Sequence, residues 1–395
     1  MSWVKRLPRT VIMLGLVSLF TDLSSEMIYP LLPIFLTGVL GAGPAVLGLI
    51  EGVAESTASV LKLVSGLWSD RLGKRKPLVV LGYGLASAAR PLIGLATAWS
   101  AVLGLRFADR VGKGLRTSPR DALIADATPP DLRGAAYGVH RAMDHAGAVL
   151  GPLAAVACLT LAGLSIRQVF LLAAIPGAVV LFILLVAVRE PPARPAAPAG
   201  ARHPLRSAGR PLRPLLIALA VFTLGNSTDA FLLLRMADVG ISVAAVTGLW
   251  AAHNLVRMGS NWLGGRLSDH LGRRPMMLAG WMVYGLVYAV FAIAQSRTIF
   301  VLTFLAYGVY FGLTEPVEKA WVADLVPETV RATAFGAYHA TVGLAALPAS
   351  LVFGLLWKTF GAPSAFACGA ALAVVAALLL LRVPGAAPEG LTGVN

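Results

Sequence analysis

A chain of 395 residues in which 57% are hydrophobic and only 13% are charged is poorly suited to water, because soluble domains carry roughly 25% charged residues. The composition excludes a disordered chain, a secreted disulfide scaffold and most soluble enzymes. The net charge of +14 does not indicate nucleic-acid binding, since the lysines and arginines form short clusters between apolar runs, as expected for a membrane protein with basic cytoplasmic loops.

Apolar runs long enough to cross a bilayer as helices, about 20 residues each, recur along the whole chain. They predict an all-α membrane protein with twelve transmembrane helices, here numbered spans 1 to 12. The first run continues past two acidic residues and shows no small-residue cleavage site, so we interpret it as a retained helix rather than a signal peptide. The predicted spans are 11–38, 47–69, 77–98, 99–120, 134–160, 166–188, 214–236, 243–266, 275–295, 298–322, 333–357 and 363–382.

A segment rich in proline and arginine separates the first six spans from the last six. Its prolines disfavour a helix and its composition cannot bury apolar surface, so we expect a linker. The predicted organisation is a six-helix bundle at 1–189, a linker at 190–213, a second bundle at 214–383 and a short tail at 384–395. Lysines and arginines concentrate in the linker and in the loops on its side, which predicts an inner (cytoplasmic) membrane protein with both termini in the cytoplasm.

The two halves of the chain repeat each other. Residues 66–75 match residues 265–274 at an offset of 199. This match and a second, independent one at nearly the same offset predict a duplicated six-helix unit in parallel orientation. Many secondary transporters share this arrangement. The second match, at an offset of 198, pairs Asp126, Pro129, Arg133 and Gly138 with Asp324, Pro327, Arg331 and Gly336.

The loop between spans 2 and 3 resembles the signature loop of the major facilitator superfamily, and the loop between spans 8 and 9 resembles a weaker copy of it. The resemblance covers the chain from span 1 to span 12. It implies two six-helix bundles that rock about a central cavity, a monomeric transporter rather than an enzyme, and a proton gradient rather than a cofactor as energy source. The residues that carry it are Gly66, Asp70, Arg71, Gly73, Lys74 and Arg75, and in the second copy Asp269, Gly272, Arg273 and Arg274.

These loops have the chemistry of a gate. Their glycines allow helix ends to approach closely, and Asp70 can accept hydrogen bonds at the N-terminus of a neighbouring helix or pair with arginines of another helix. In span 5, Gly147, Gly151 and Pro152 resemble the glycine–proline motif of the superfamily's antiporters, which favours export. The alternatives are that the basic residues only set the topology and that the glycines only allow ordinary helix packing.

Ionisable side chains at membrane depth cost free energy unless they are paired or hydrated, so each is a candidate functional residue. Spans 6, 9 and 12 lack such residues in their interiors, and span 3 has only Arg90. In the superfamily fold these four spans are the outer supports, which agrees with the pattern. The candidates for substrate or proton binding are Asp22, Glu26, Glu51, Glu55, Arg106, Arg141, Asp144, His145, Asp229, His253 and Arg257.

Three carboxylates are the preferred proton or cation carriers, because no basic residue lies near them in sequence: Asp22, Glu26 and Asp229. The first two are four residues apart and share one helix face, and their mutual repulsion in a low dielectric would favour the protonation of one of them. A carboxylate of this kind can exchange a proton for a cation. Asp144 has the spacing of a structural ion pair with Arg141, and a structural hydrogen bond explains a buried histidine in span 8 as well as a ligand role does.

Residues 110–133 are predicted to form a basic cytoplasmic loop, and the equivalent stretch of the second half is acidic. Opposite charges on the two halves could hold the cytoplasmic side shut. We therefore predict a latch in which Arg120 pairs with Glu318.

The carboxylates and histidines favour export of a small organic cation in exchange for protons, whereas the arginines leave uptake of an organic anion open. Residues 21–27 and 118–121 also resemble a bacterial branch that includes nickel-resistance exporters, so a divalent metal such as nickel, cobalt or iron is an alternative substrate. A channel, a sensor or a membrane enzyme is a further alternative, although no spacing of a nucleophile and a base requires an enzyme. The candidate metal ligands are Asp22, Glu26, Glu51, Glu55, His145 and His253.

Overall fold

The computed structural model describes residues 6–32, 35–41, 44–190, 204–227, 229–241 and 243–383, and it contains no strand in these ranges. Helices α1 to α7 form the N-terminal half and α8 to α14 form the C-terminal half. The helices α1 to α14 are, in order, Arg9–Glu26, Pro44–Leu72, Lys76–Leu92, Trp99–Ala127, Arg133–Thr160, Ile166–Leu172, Ala174–Val186, Pro204–Gly225, Ala230–Asp238, Val243–Leu271, Arg273–Ile293, Arg297–Asp324, Arg331–Phe360 and Ala362–Leu380.

The linker face is the end at which α2 joins α3, α4 joins α5, α10 joins α11 and α12 joins α13, and the far face is the opposite end. An α-helix rises about 1.5 Å per residue, so the longer helices run the whole distance between these faces.

Among the described helices, six segments are long and apolar enough to cross a membrane: α3, α5, α6 with α7, α11, α12 and α14. Four of these are the spans that were expected to be outer supports. Other long helices, such as α4, have ionisable side chains along their length and fail the same test of composition. In α4, five of these side chains are buried inside the bundle: Arg106, Asp109, Arg116, Arg120 and Asp121.

Two predicted spans are interrupted in the structure. Span 1 ends as an α-helix at Glu26 and continues as a short 3-10 turn at Tyr29–Leu31, because the sequence there contains Pro30, which lacks the backbone N–H that a continuing helix requires. Span 7 is likewise divided, into α8 and α9.

The helix that follows the linker begins earlier than predicted. Helix α8 starts at Pro204, inside the segment interpreted as linker, and continues through Pro214. A proline at the first helical position loses no hydrogen bond, because that N–H has no intrahelical partner. The part of the linker at 191–203 and the tail at 384–395 lie outside the described residues.

The predicted basic loop at 110–133 is wrong for most of its length. Helix α4 continues to Ala127, and only a short turn at Pro130–Leu132 precedes α5. Arg116 and Arg120 are buried in this helix rather than exposed in a cytoplasmic loop. Their positive charges therefore act inside the bundle and do not contribute to the topology signal.

The two halves use the same helix pairings, as expected for a duplicated unit. Helix α2 packs on α4 as α10 packs on α12, and α3 packs on α4 as α11 packs on α12. The halves meet where α2 contacts α13 and where α5 contacts α10. Gly66 faces the backbone of Ala332 across the first of these contacts, and Gly265 faces the backbone of Gly134 across the second. A side chain at either glycine would hold the halves apart.

Candidate functional site

The signature loop at the end of α2 caps a helix of the other half. The buried carboxylate of Asp70 accepts hydrogen bonds from the backbone N–H groups of Thr333 at 2.6 Å and Ala332 at 3.3 Å, in the first turn of α13. The first N–H groups of a helix have no intrahelical partners and carry the positive end of the helix dipole. An acidic side chain at this position therefore stabilises contact between the halves.

Two arginines connect this cap to the end of α4. Arg75 pairs with Asp70, and it donates hydrogen bonds to the Asp126 carboxylate at 3.1 Å and to the carbonyl of Glu328 at 3.0 Å. Arg331, from the other half, also pairs with Asp126. Removing one partner of a buried ion pair is strongly destabilising, so this cluster favours the closed linker face.

A second copy of the cap lies on the opposite side of the interface. Asp269, at the end of α10, accepts hydrogen bonds at 2.7 and 2.8 Å from two backbone N–H groups in the first turn of α5. Arg273 pairs with Asp269 at 2.6 Å and with Asp324 at 3.0 Å, and Asp324 pairs with Arg133 at 2.7 Å. The second repeated match of the sequence thus supplies the ion-pair partners of the two loops: Asp126 with Arg331 and Asp324 with Arg133.

The two copies correspond with a one-residue gap after the loop glycines. Gly73 and Gly272 have φ angles of 63° and 89°, a region in which residues with a Cβ are disfavoured. Beyond them, Arg273 makes the contacts that Arg75 makes in the first copy, and Arg274 does not. This gap explains why the offset between the repeats falls from 199 to 198.

Three predicted gating residues contact neither the other half nor the caps. Arg274 donates a hydrogen bond to the carbonyl of Val383, just beyond the end of α14. Arg71 and Lys74 are exposed at the linker face. Their positions suit the alternative that basic residues of this loop set the topology.

The predicted latch between Arg120 and Glu318 is wrong. Arg120 pairs with its neighbour Asp121 at 2.8 Å, and Glu318 accepts a hydrogen bond from the hydroxyl of Tyr338 at 2.6 Å. Across the interface the acid comes from the N-terminal half and the base from the C-terminal half. Asp121 of α4 lies 2.9 Å from the Nζ atom of Lys319 of α12. Consecutive residues of a helix point about 100° apart, so only one of the two can face the other half.

Asp121 is the centre of this contact. Its side chain is fully buried, and the Nε2 atom of His339 of α13 lies 2.9 Å from its carboxylate. The hydroxyl of Tyr137 donates a hydrogen bond to its carbonyl at 2.6 Å. One carboxylate of the N-terminal half therefore contacts two helices of the C-terminal half.

A second inter-half cluster surrounds Glu315, one turn of α12 farther from the linker face. Its carboxylate lies 3.2 Å from Nε2 of His145, 3.4 Å from Nη2 of Arg257 and 3.8 Å from Nε of Arg141. Arg141 also pairs with Asp144 at 2.7 Å. The structure thus brings together four of the predicted binding residues around a carboxylate that was not among them.

Asp229 and His253 have partners that their sequence neighbours do not reveal. The Asp229 carboxylate accepts a hydrogen bond from the hydroxyl of Tyr307 at 3.0 Å and lies 3.9 Å from Arg257. The Nδ1 atom of His253 lies 3.0 Å from the carbonyl oxygen of Phe304, and the two rings stack with centroids 4.6 Å apart. These contacts favour the structural explanation of His253.

A polar cavity of about 250 Å³ lies in the N-terminal half between α1, α3 and α4, on the far-face side of the inter-half contacts. Asp22, Glu26 and Arg106 line it, so three predicted binding residues share one site. The fold surrounds the two carboxylates with basic side chains that are distant from them in sequence. The basic residues of the lining are Arg90, Arg106, Arg110, Lys113 and Arg116.

Arg90 and Asp109 organise one wall of this cavity. The Nε atom of Arg90 lies 2.9 Å from Asp109, and its Nη1 atom donates a hydrogen bond to the carbonyl of Thr21 at 2.8 Å. Arg106 lies 3.3 Å from the same carboxylate. Arg90 thus lines the cavity although it belongs to α3, a helix that was expected to be an outer support. It was not among the predicted site residues.

The glycine–proline stretch of α5 packs beside the two carboxylates of α1. A Cβ atom at Gly147 would lie 3.1 Å from the Cβ of Asp22, and one at Gly151 would lie 2.6 Å from the Cβ of Glu26. Pro152 stands inside α5 without ending it. Close packing at these glycines therefore fixes how far the carboxylates lie from α5.

The described side chains do not assemble a metal site. Among them, no group of three or more His, Cys, Asp and Glu residues is arranged to hold an ion. His145 lies against Glu315, and His253 lies against a backbone carbonyl. The side chains of Glu51 and Glu55, which complete the predicted ligand set, lie outside the described residues.

The chain is similar to known proteins in both sequence and fold. The family model described as Major Facilitator Superfamily matches residues 14–256 and 215–394. An uncharacterized MFS-type transporter, MJ1317 of Methanocaldococcus jannaschii, is 36% identical over 385 residues, which are 96% of each chain. The multidrug resistance protein MdtH of Yersinia pestis is 31% identical over 137 residues, 34% of each chain. The human organic anion transporter MFSD10 has the same fold, with a TM-score of 0.78, 19% identity and coverage of 94% of this chain and 99% of that one.

Proposed function

The chain belongs to the major facilitator superfamily of membrane transporters, and on that premise we propose that it is a proton-coupled secondary transporter that exports a small organic solute. The observation that carries the proposal is the pair of crossed helix caps, in which Asp70 of one half and Asp269 of the other each bind the first turn of a helix across the interface. Such contacts can break and form again as two rigid halves rock.

The described conformation is closed at the linker face. Because lysines and arginines concentrate there, we place this face in the cytoplasm and the protein in the inner membrane. Breaking both caps and the pair between Asp121 and Lys319 would open the N-terminal cavity to the cytoplasm. The solute would bind while the caps are broken and leave at the far face after they form.

Asp22 and Glu26 are the carboxylates best placed to carry protons, with Asp229 as a third candidate. The first two line the cavity beside several arginines, and the proton affinity of a carboxylate depends strongly on how near such cations lie. A rocking motion that changes these distances would bind the proton on one side of the membrane and release it on the other.

Two observations favour export. The glycine–proline stretch of α5 packs directly against Asp22 and Glu26, where a change in helix packing would reach the proton carriers. The partial similarity to a multidrug resistance protein points in the same direction. Of the alternatives, the cation predicted from the carboxylates is weakened by the five basic residues of the cavity, and a divalent metal receives no support from the described side chains.

The experiment uses purified protein in liposomes that carry an imposed pH gradient. In wild type, we expect accumulation of a solute that collapses when an ionophore dissipates the gradient. Asp22→Asn fixes the site in its uncharged form, so uphill transport should fall at least tenfold while solute exchange without a gradient persists. Asp131→Asn, at an exposed carboxylate of the linker face, is the matched control.

Two results would contradict this proposal. One is accumulation by the wild-type protein that is indifferent to the ionophore. The other is full gradient-driven transport by Asp22→Asn, Glu26→Gln and Asp229→Asn alike, since at least one of these carboxylates must carry the proton.

A further inference from the structure

We propose that the N-terminal cavity binds an acidic group of the transported solute, which makes the substrate a small organic oxyanion. The inference rests on the proposed transport function and names its substrate class. It replaces the organic cation that the carboxylates alone predict.

The charge of the cavity favours an anion. Five basic and three acidic side chains line it, so with all of them ionised the lining has a net charge of +2. Two of the bases, Arg90 and Arg106, already contact Asp109. This group keeps one excess positive charge, and the other lies on the rest of the lining, where three bases face Asp22 and Glu26.

The basic residues of α4 form a stripe along one face of the helix. Arg106, Arg110, Lys113 and Arg116 are spaced by four, three and three residues, which places their side chains one above another. Several cations at bilayer depth are costly without compensation. Topology does not require them, since the helix crosses the membrane at their level. The stripe supplies four of the five basic side chains that a bound anion would meet in the cavity.

Arg116 is the side chain of the cavity best placed to bind an oxyanion. It lines the cavity and is only 5% exposed, and its Nε and Nη1 atoms have no hydrogen-bond partner among the described residues. Its guanidinium lies 4.1 Å from the centre of the Tyr83 ring, which holds the plane in place and leaves the edge for hydrogen bonds. A buried donor without an acceptor is unfavourable, and the charged oxygens of a carboxylate or phosphate are strong acceptors for such donors.

The size of the cavity limits the solute. A volume of about 250 Å³ corresponds to about eight water molecules, enough for an acidic group with a short organic body. With the linker face in the cytoplasm, the interior-negative membrane potential drives an anion outward. An acidic substrate is therefore compatible with export.

The test measures binding to the detergent-purified full chain by thermal shift and by calorimetry. The acidic probes are succinate, citrate, benzoate and glycerol 3-phosphate, the uncharged counterparts are succinamide, benzamide and glycerol, and the cationic probe is choline. We expect at least one acid, and neither its uncharged counterpart nor choline, to raise the melting temperature. Arg116→Gln should weaken the binding of that acid at least tenfold, and Arg116→Lys should weaken it less.

The control is Arg382→Gln, which removes an exposed arginine beyond the end of α14 and should leave the affinity unchanged. If Arg116→Gln does not fold, Lys113→Gln probes the same stripe at a half-exposed position. The proposal is overturned if no acid binds to the wild-type protein. It is also overturned if an acid binds to Arg116→Gln and Lys113→Gln as well as it binds to the wild type.

Failure of this inference and failure of the proposed function give different results. Gradient-driven transport of a cation or an uncharged solute, without binding of any acid, would retain the function and overturn the anion site. Binding of an acid that depends on Arg116, without any gradient-driven flux in liposomes, would retain the site and overturn the function.

Discussion

Replacing Gly265 with alanine should prevent the linker face from closing and reduce transport at least tenfold. A Cβ atom at this position would lie 2.7 Å from the Cα of Gly138 and 2.9 Å from the carbonyl carbon of Gly134, both in the other half. Overpacking of this kind costs about 1–3 kcal/mol, and about 1.4 kcal/mol changes a two-state equilibrium tenfold. Because only the closed state contains this contact, the protein should remain folded but favour the open linker face.

The measurement is labelling of a single cysteine by a membrane-impermeant maleimide. Thr333→Cys reports on the interface, because this residue is fully buried against the loop of Asp70; the native cysteines 158 and 368 are first replaced by alanine. Labelling should increase in Gly265→Ala and stay low in Gly259→Ala. Gly259 lies on the same helix, and a Cβ atom there would meet nothing within 4 Å. Equal labelling of the two variants would contradict this account of closure.

Removing the carboxylate of Asp121 should be among the most damaging substitutions in the chain. Its side chain is fully buried and contacts Arg120, Lys319 and His339. Asp121→Ala leaves buried cations without a partner, which typically costs about 3–5 kcal/mol. We expect a clear decrease in the melting temperature of the detergent-purified protein and a loss of transport.

The companion variant distinguishes an ion-pair effect from a simple cavity. When Lys319→Met is added to Asp121→Ala, the uncompensated ammonium group disappears, so the double variant should be more stable than Asp121→Ala alone. Thermal unfolding of Asp121→Ala, Lys319→Met and the double variant gives the coupling free energy between the two sites. Strictly additive losses would show that the pair does not hold the halves together.

The fold was predictable because its determinants are local or repeated. Apolar runs set the helices, and the recurrence of residues 66–75 as 265–274 predicted two equivalent halves. The hydrogen bonds of Asp70 to a helix N-terminus follow from the chemistry of an acidic side chain beside a close helix contact. The role of these contacts in gating stays a prediction until transport is measured.

The cavity was less predictable because its residues come from helices far apart in the chain. Asp22 and Glu26 have no basic neighbour in sequence, yet α3 and α4 place arginines and a lysine beside them. Arg90 belongs to a helix expected to be a support, and only the packing of α3 on α4 directs it inward. The spacing of basic residues along α4 was the available signal, and the prediction of a loop there concealed it.

The crossed caps also bear on the history of the chain. Each half contributes one acid that caps and one helix that is capped, so the interface is self-complementary in the way of a two-fold symmetric dimer. An ancestral chain of six helices with one capping acid and one capped helix could close against an identical second molecule without any additional contact. Gene fusion would then have freed the two halves to diverge, and the cavity of the N-terminal half, with its five basic side chains, is a product of that freedom.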